Sequence, residues 1–162
     1  MTDTNENPRA YPDRPYVGIG VVVFKGDDVL LAQRGKKPRM YSWSIPGGAQ
    51  ELGETVEEAA HREIREETSI EIELLGLVEV VNSINRDDED RVQFHYTLID
   101  FVGEWKSGDV VAGDDAADAR WVPLGEIGDY NLRSLTYEVI LQADDLRKSG
   151  AIKSGNRLQK TI

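Results

Sequence analysis

Residues 48–70 read Gly-Ala-Gln-Glu-Leu-Gly-Glu-Thr-Val-Glu-Glu-Ala-Ala-His-Arg-Glu-Ile-Arg-Glu-Glu-Thr-Ser-Ile, and their pattern decides the fold. From 55 to 69 there is no Gly or Pro, and Ala, Glu, Arg and Ile dominate, which predicts a helix. At about 100° per residue, Val56, Ala59, Ala60 and Ile70 fall within about 60° of Glu63 on the helical wheel. Glu66 and Glu67 fall in that same sector, whereas Glu57, Glu58, His61, Arg65 and Thr68 lie outside it. The apolar stripe therefore runs into three carboxylates: Glu63, Glu66 and Glu67. Like charges three and four residues apart repel, and burial adds to the cost of keeping them ionised. A solvated, glutamate-rich helix would instead place its acids on the outer face. A bound hard divalent cation would explain the expected placement, because it takes oxygen ligands and removes the repulsion.

Upstream, Ile45-Pro46-Gly47-Gly48 is a sharp turn signal, and the two glycines allow the backbone to approach a ligand closely. A carbonyl there can add an oxygen ligand, while Glu54 or Thr55 stands near the helix N-cap. Further back, residues 16–25 form a β-branched run that reads as a buried strand, with 29–34 as its hairpin partner. Downstream, 71–81, 92–101 and 118–122 are strand candidates, with a charged loop over 86–91. Val92, Phe94, Tyr96 and Leu98 share one parity and Ile99 and Phe101 the other, which predicts a bulge or strand end near Leu98. In 132–147, Leu135, Val139, Ile140, Ala143 and Leu146 recur at helical spacing, as on an amphipathic helix lying on a sheet. The expected fold is a mixed α/β sandwich, a central sheet flanked by helices. One domain is expected over 16–148, after an extended lead-in at 1–15 with three prolines and before a basic, frayed tail at 149–162.

Composition excludes several partners. The 162 residues carry 30 Asp and Glu against 19 Lys and Arg, a net charge of -11. Such an excess disfavours a nucleic-acid polymer or an anionic membrane surface, which both require clustered cations. Zero cysteines remove disulfides, thiolate metal sites and cysteine nucleophiles. No apolar run approaches the roughly 20 residues of a spanning helix, and the first residues show no basic and apolar leader. A cytoplasmic protein is the resulting expectation. His61 and His95 fall on a helix face and a strand and form no zinc pair or triad.

Gly48, five residues, Glu54, seven residues, then Arg62-Glu63-Ile64-Arg65-Glu66-Glu67-Thr68-Ser69-Ile70 resembles the Nudix box, G-x5-E-x7-R-E-U-x-E-E-x-G-U with U aliphatic. The Gly, Arg, four Glu and both aliphatic positions match. Ser69 replaces the last glycine, a change at the helix exit rather than among the acids. The order of strands and helices over 16–148 is also similar to the Nudix hydrolase family. That resemblance implies Mg²⁺ or Mn²⁺ on Glu63, Glu66 and Glu67, with the Gly47 carbonyl nearby and Arg62 and Glu54 as a supporting ion pair. It implies attack of a metal-activated water on a diphosphate linked to a nucleoside. Glu67 or Glu63 is then the candidate base, and Asp115, before the strand at 118–122, is a second one. Arg34, Arg39 and Trp43 are the candidate substrate contacts, the arginines for phosphate and Trp43 for stacking on a base.

The overall pattern looks most like small bacterial ADP-ribose pyrophosphatases, which implies ADP-ribose cleaved to AMP and ribose 5-phosphate. A nucleoside triphosphate pyrophosphohydrolase of the pool-cleaning type is the alternative enzyme. A Nudix-fold nucleotide sensor without catalysis is the alternative of another class. The implied partner is a small nucleotide diphosphate, and the resemblance leaves a homodimer open.

Overall fold

In the computed structural model, residues 7–37, 39–150 and 162 are described. The β-branched run becomes β1 (Tyr16–Lys25), whose residues from Ile19 to Phe24, Gly20 included, are buried. A turn at Gly26, φ 60°, returns the chain into β2 (Asp28–Arg34). The two strands pair only at Phe24 with Val29 and Lys25 with Asp28, and then diverge. Two short strands fill the fork: β3 (Trp43–Ser44) pairs with β2, and β4 (Gly47–Ala49) pairs with β1. The turn signal at 45–48 is thus the crossing from one arm of the fork to the other.

Helix α1 (Val56–Thr68) follows, and its ends are chemically closed. Thr55 Oγ1 accepts from the Glu58 N–H at 3.1 Å while Glu58 Oε2 accepts from the Thr55 N–H at 2.7 Å, a reciprocal capping box. Ser69 takes the left-handed conformation expected of the box glycine, φ 65°, and its N–H donates to the Arg65 carbonyl at 3.0 Å. Then come β5 (Glu71–Arg86) and β6 (Val92–Ser107), which begin at the expected residues and run past their expected C-terminal ends, five and six residues further. Strand β6 lies parallel to β1 from Tyr16 beside Tyr96 to Phe24 beside Glu104. Strand β7 (Ala116–Pro123) pairs with β2, a 3-10 stretch spans Leu124–Tyr130, and α2 (Ser134–Lys148) closes the fold. The sheet order is β3-β2-β1-β6-β5, with β4 beside β1 and β7 beside β2.

Successive strand residues face opposite sides. Ile19, Val21, Val23 and Phe101 pack with Ala59, Ala60 and Ile64 of α1; Val22, Phe24, Leu31 and Val102 pack with Val139, Ile140 and Ala143 of α2. This is the expected sandwich of a mixed sheet between helices. It also corrects the bulge expected near Leu98. β6 pairs with β1 without a break there, and both parities are apolar because both faces are covered; the irregularities lie in the pairing with β5. Leu135, expected on the sheet face of α2, is 52% exposed. The expected basic tail lies outside the described residues except for Ser149, Gly150 and Ile162.

Candidate functional site

Helix α1 meets the sheet through Ala59, Ala60, Ile64 and Thr68. The buried sector is therefore centred about 80° from Glu63, between Ala60 and Ile64. Glu63 and Glu67 stand on its near side, but the Glu66 side chain is 59% exposed. Two of the three box acids face inward rather than three, and Thr68, expected outside, is fully buried. Its hydroxyl donates to the Ile64 carbonyl at 2.6 Å.

Arg62 ties the box loop to the helix, as the expected ion pair requires. Its Nη2 and Nε donate to the two Glu54 oxygens at 2.5 and 2.9 Å, and Nη2 also donates to the Ala49 carbonyl at 3.0 Å. Nη1 reaches Glu63 at 2.8 Å and Glu66 at 3.3 Å. The guanidinium holds the Glu54 carboxyl below its usual range. In return the carboxylates raise the already high pKa of Arg62, the Glu54 hydrogen bond most of all.

The loop glycines matter for space. A Cβ on Gly48 would overlap the Glu63 carboxyl, lying 2.6 Å from Oε2, and one on Gly47 would lie 2.9 Å from the Gly20 Cα. The Gly47 N–H donates to Glu67 Oε2 at 3.2 Å. Burial pushes the Glu67 carboxyl up to about 7; the Gly47 hydrogen bond opposes this, the Glu63 and Asp115 charges reinforce it, and Arg34 again opposes it. Burial also raises Glu63, against the pull of Arg62.

Asp115 arrives from the loop after β6. The Val111 and Gly113 N–H groups donate to the last carbonyls of α1, Thr68 at 3.0 Å and Glu67 at 2.9 Å. Asp115 itself forms an ion pair with Lys36, and its carbonyl accepts from the Gly35 N–H at 3.1 Å. Arg34, at the end of β2, donates from Nε to the Lys36 carbonyl at 3.0 Å. The structure thus brings Glu63, Glu67, Asp115 and Arg34 to one end of the sheet.

Arg39 stands further along the same side. Burial lowers its pKa, and the charges of Arg133 and Arg34 lower it further. Arg133, the N-cap of α2, was missed from the sequence, where it falls within the helix expected over 132–147. Trp43 packs against the opposite core, under α2. Its ring makes an edge contact with Tyr130, centroids 5.1 Å apart, and carries Arg120 at 4.8 Å. The expected stacking platform already has an Arg over it.

Among the described residues, no three Asp, Glu or His side chains are arranged to hold a metal ion as they stand. Arg62 lies between Glu63 and Glu66, and Glu67 faces the Gly47 N–H. The chemistry of the donor set nevertheless fits a hard divalent cation. The donors are carboxylate oxygens, and burial disfavours the ionised forms of Glu63 and Glu67 until a positive charge compensates them.

The ADP-ribose pyrophosphatase of Methanocaldococcus jannaschii is 35% identical over 113 residues, 70% of this chain and 64% of that protein. The 8-oxo-dGTP diphosphatase of Proteus vulgaris is 38% identical over 94 residues, 57% of this chain and 79% of that protein. The chain spans less than two thirds of the first of these, and about half the length of other curated relatives. A NUDIX hydrolase structure from Nitrosomonas europaea has the same fold, with a TM-score of 0.70 at 21% identity, covering 91% of this chain and 98% of that one. The NUDIX domain model matches residues 14–142, a stretch that contains the box helix, its capping loop and both faces of the sheet. The chain belongs to the NUDIX domain family.

Proposed function

We propose that this protein hydrolyses the diphosphate linkage of a nucleoside diphosphate derivative, with ADP-ribose cleaved to AMP and ribose 5-phosphate. The observation that carries this reading is the pair Glu63 and Glu67, half-buried against Gly47 and Gly48 and flanked by Arg34. Glu63, Glu66, Glu67 and the Gly47 carbonyl would hold Mg²⁺ or Mn²⁺. Bound there, the ion supplies charge for the phosphoryl oxygens and acidifies water. Arg62 and Glu54 keep the loop fixed on the helix, so that the carboxylates and Gly47 hold their spacing. Arg34 and Arg39 offset the repulsion that a net charge of -11 imposes on a diphosphate. Glu67 or Glu63 is the candidate to accept the proton of the attacking water, and Asp115 on the opposing loop is the second candidate.

The resemblance to an ADP-ribose pyrophosphatase over 70% of the chain supports the choice of ADP-ribose. The match to an 8-oxo-dGTP diphosphatase favours the second reading, a nucleoside triphosphate pyrophosphohydrolase. Incubation with Mg²⁺ and ADP-ribose, NADH, coenzyme A, dinucleoside polyphosphates and nucleoside triphosphates separates them. Preferred AMP release from ADP-ribose supports the first reading, and nucleoside monophosphate with inorganic pyrophosphate from triphosphates supports the second. Binding without turnover of any substrate points to a sensor. Glu67→Gln is expected to abolish most hydrolysis and to keep the fold; near-normal rates in that variant sink the assignment of the acids.

A further inference from the structure

Strand β5 lies at the edge of the sheet. It pairs with β6 on one side, and among the described residues no backbone hydrogen bond from another segment reaches its other side. In an antiparallel ladder alternate residues turn their N–H and C=O groups away from the partner, so this edge carries a row of free donors and acceptors. Proteins commonly blunt such an edge with Pro, Lys or bulges. β5 has neither Pro nor Lys. Its register shifts fall between Glu71 and Ile72, Leu74 and Gly76, Leu77 and Glu79, and Asn85 and Arg86. The stretch from Glu79 to Asn85 is therefore regular and open.

The registers assign its two faces. Leu77 stands beside Phe101, Val80 beside Ile99, Asn82 beside Thr97 and Ile84 beside His95. Phe101 packs with Ala59, Ala60 and Ile64, so all four β5 residues lie on the α1 face. Ile72 and Leu74 join that core, but Leu77, Val80 and Ile84 are 46%, 53% and 48% exposed. No charged residue interrupts them on this face, in a chain of net charge -11. Glu79, Val81, Ser83 and Asn85 take the opposite face.

The same stretch is complementary to itself. Around Asn82, Val80 and Ile84 lie two residues away on the α1 face, and Glu79 and Asn85 lie three residues away on the other. Laid antiparallel with Asn82 opposite Asn82, two copies set Val80 against Ile84 twice and Glu79 against Asn85 twice. Arg86 of the second copy then follows one residue beyond Asn85, near Glu79, and no like charges are opposed. The exposed Asn82 amide makes no hydrogen bond among the described residues, and an amide both donates and accepts, so it can pair with its own copy.

We propose that this protein forms a two-fold dimer through β5, with residues 79–85 paired antiparallel to the same residues of a second copy about Asn82. The two sheets become one, and both box helices lie on the same side of it, because an axis perpendicular to a sheet keeps its faces. The contact withdraws Val80 and Ile84 from water and satisfies the free edge.

The test starts with size-exclusion chromatography and light scattering on the full chain, from low micromolar to submillimolar concentration. A species of twice the chain mass is expected, and a monomer throughout overturns the proposal. Val80→Lys with Ile84→Lys sets Lys against Lys at both contacts and should weaken the dimer at least about tenfold. Val80→Lys with Ile84→Glu sets Lys against Glu and should retain it. Equal loss in the two double variants, with circular dichroism unchanged, overturns the antiparallel pairing. The chain has no cysteine, so Asn82→Cys reads the axis directly. Directly opposite Cα atoms lie about 4.5–5.5 Å apart, inside the range of roughly 4.4–6.8 Å that a disulfide spans. Ile84→Cys places its two thiols four residues out of step, about 13 Å apart along the strands. Asn82→Cys is expected to give a covalent dimer under mild oxidation and Ile84→Cys is not. Equal cross-linking of the two, or none in Asn82→Cys, overturns the proposal.

Discussion

Asp100→Asn removes one titration from the folded protein, and the consequence for stability has a sign and a size. Burial, and then the Glu79 charge, moves the Asp100 carboxyl from its usual 3.8 to about 6 in the native state. The native state therefore holds a proton that the unfolded chain has already released. Stability from this group is complete below 3.8 and is lost as the pH climbs through about 6. The gap corresponds to about 3 kcal/mol in full. An exposure of 8% leaves little solvent to screen it. Urea denaturation of wild type and Asp100→Asn, repeated from below pH 3.8 to above pH 6, measures the difference. Glu63 and Glu67 are also raised, but they are common to both proteins and largely cancel in the comparison. The Asn amide has a desolvation cost of its own, so the test is the slope and not the intercept. The variant should gain on the wild type by about 3 kcal/mol across that interval. A difference that stays flat with pH, or runs the other way, refutes the reasoning.

Arg62→Met leaves Glu54 and Glu63 without their shared cation, and urea denaturation should show a loss of about 3 kcal/mol. Pairing it with Glu54→Gln should recover part of that loss, since the second change removes the orphaned charge. Ser69→Gly relieves a side chain held at φ 65° but gives up the Ser69 Oγ bond to the Val111 carbonyl at 3.3 Å. The balance should be a gain of about 0.5 kcal/mol, read from the thermal midpoint. Gly48→Ala sets a Cβ against the Glu63 carboxyl and should lower the proposed hydrolysis at least about tenfold, with unchanged circular dichroism.

Much of α1 was legible because its information is local. Thr55 and Glu58 sit at cap spacing, the alanines sit at helical spacing, and the observed helix ends within a residue of the expected one. The Arg62 to Glu54 pair was legible only through the box resemblance, since it joins a helix to a loop. Glu66 was misplaced because the wheel was centred on Glu63, whereas the sheet meets the helix nearer to Ile64. Strands of two and three residues carry no period, so β3 and β4 could not be read; they exist because β1 and β2 diverge after two paired residues. In the sequence Asp100 is one polar residue in a largely apolar strand, with no local signal of its own. Its unusual state depends on Gly20, eighty positions earlier, and on Glu79 in the next strand. Likewise Arg120 over Trp43 is a tertiary contact between residues far apart in the chain.

The loop between β6 and β7 also sets where the chain can change length. Its Val111 and Gly113 N–H groups are spent on the last carbonyls of α1, and a Cβ on Gly113 would overlap the Glu66 carbonyl oxygen. Asp115 is thereby anchored two residues beyond a fixed point. An insertion between 113 and 115 would carry its carboxyl away from Glu67, whereas Asp109, just past the end of β6, is exposed and lies upstream of the anchor. Loop grafting, or natural drift in loop length, has its room there, upstream of Val111, where the backbone can lengthen while the acid stays at the end of the box helix.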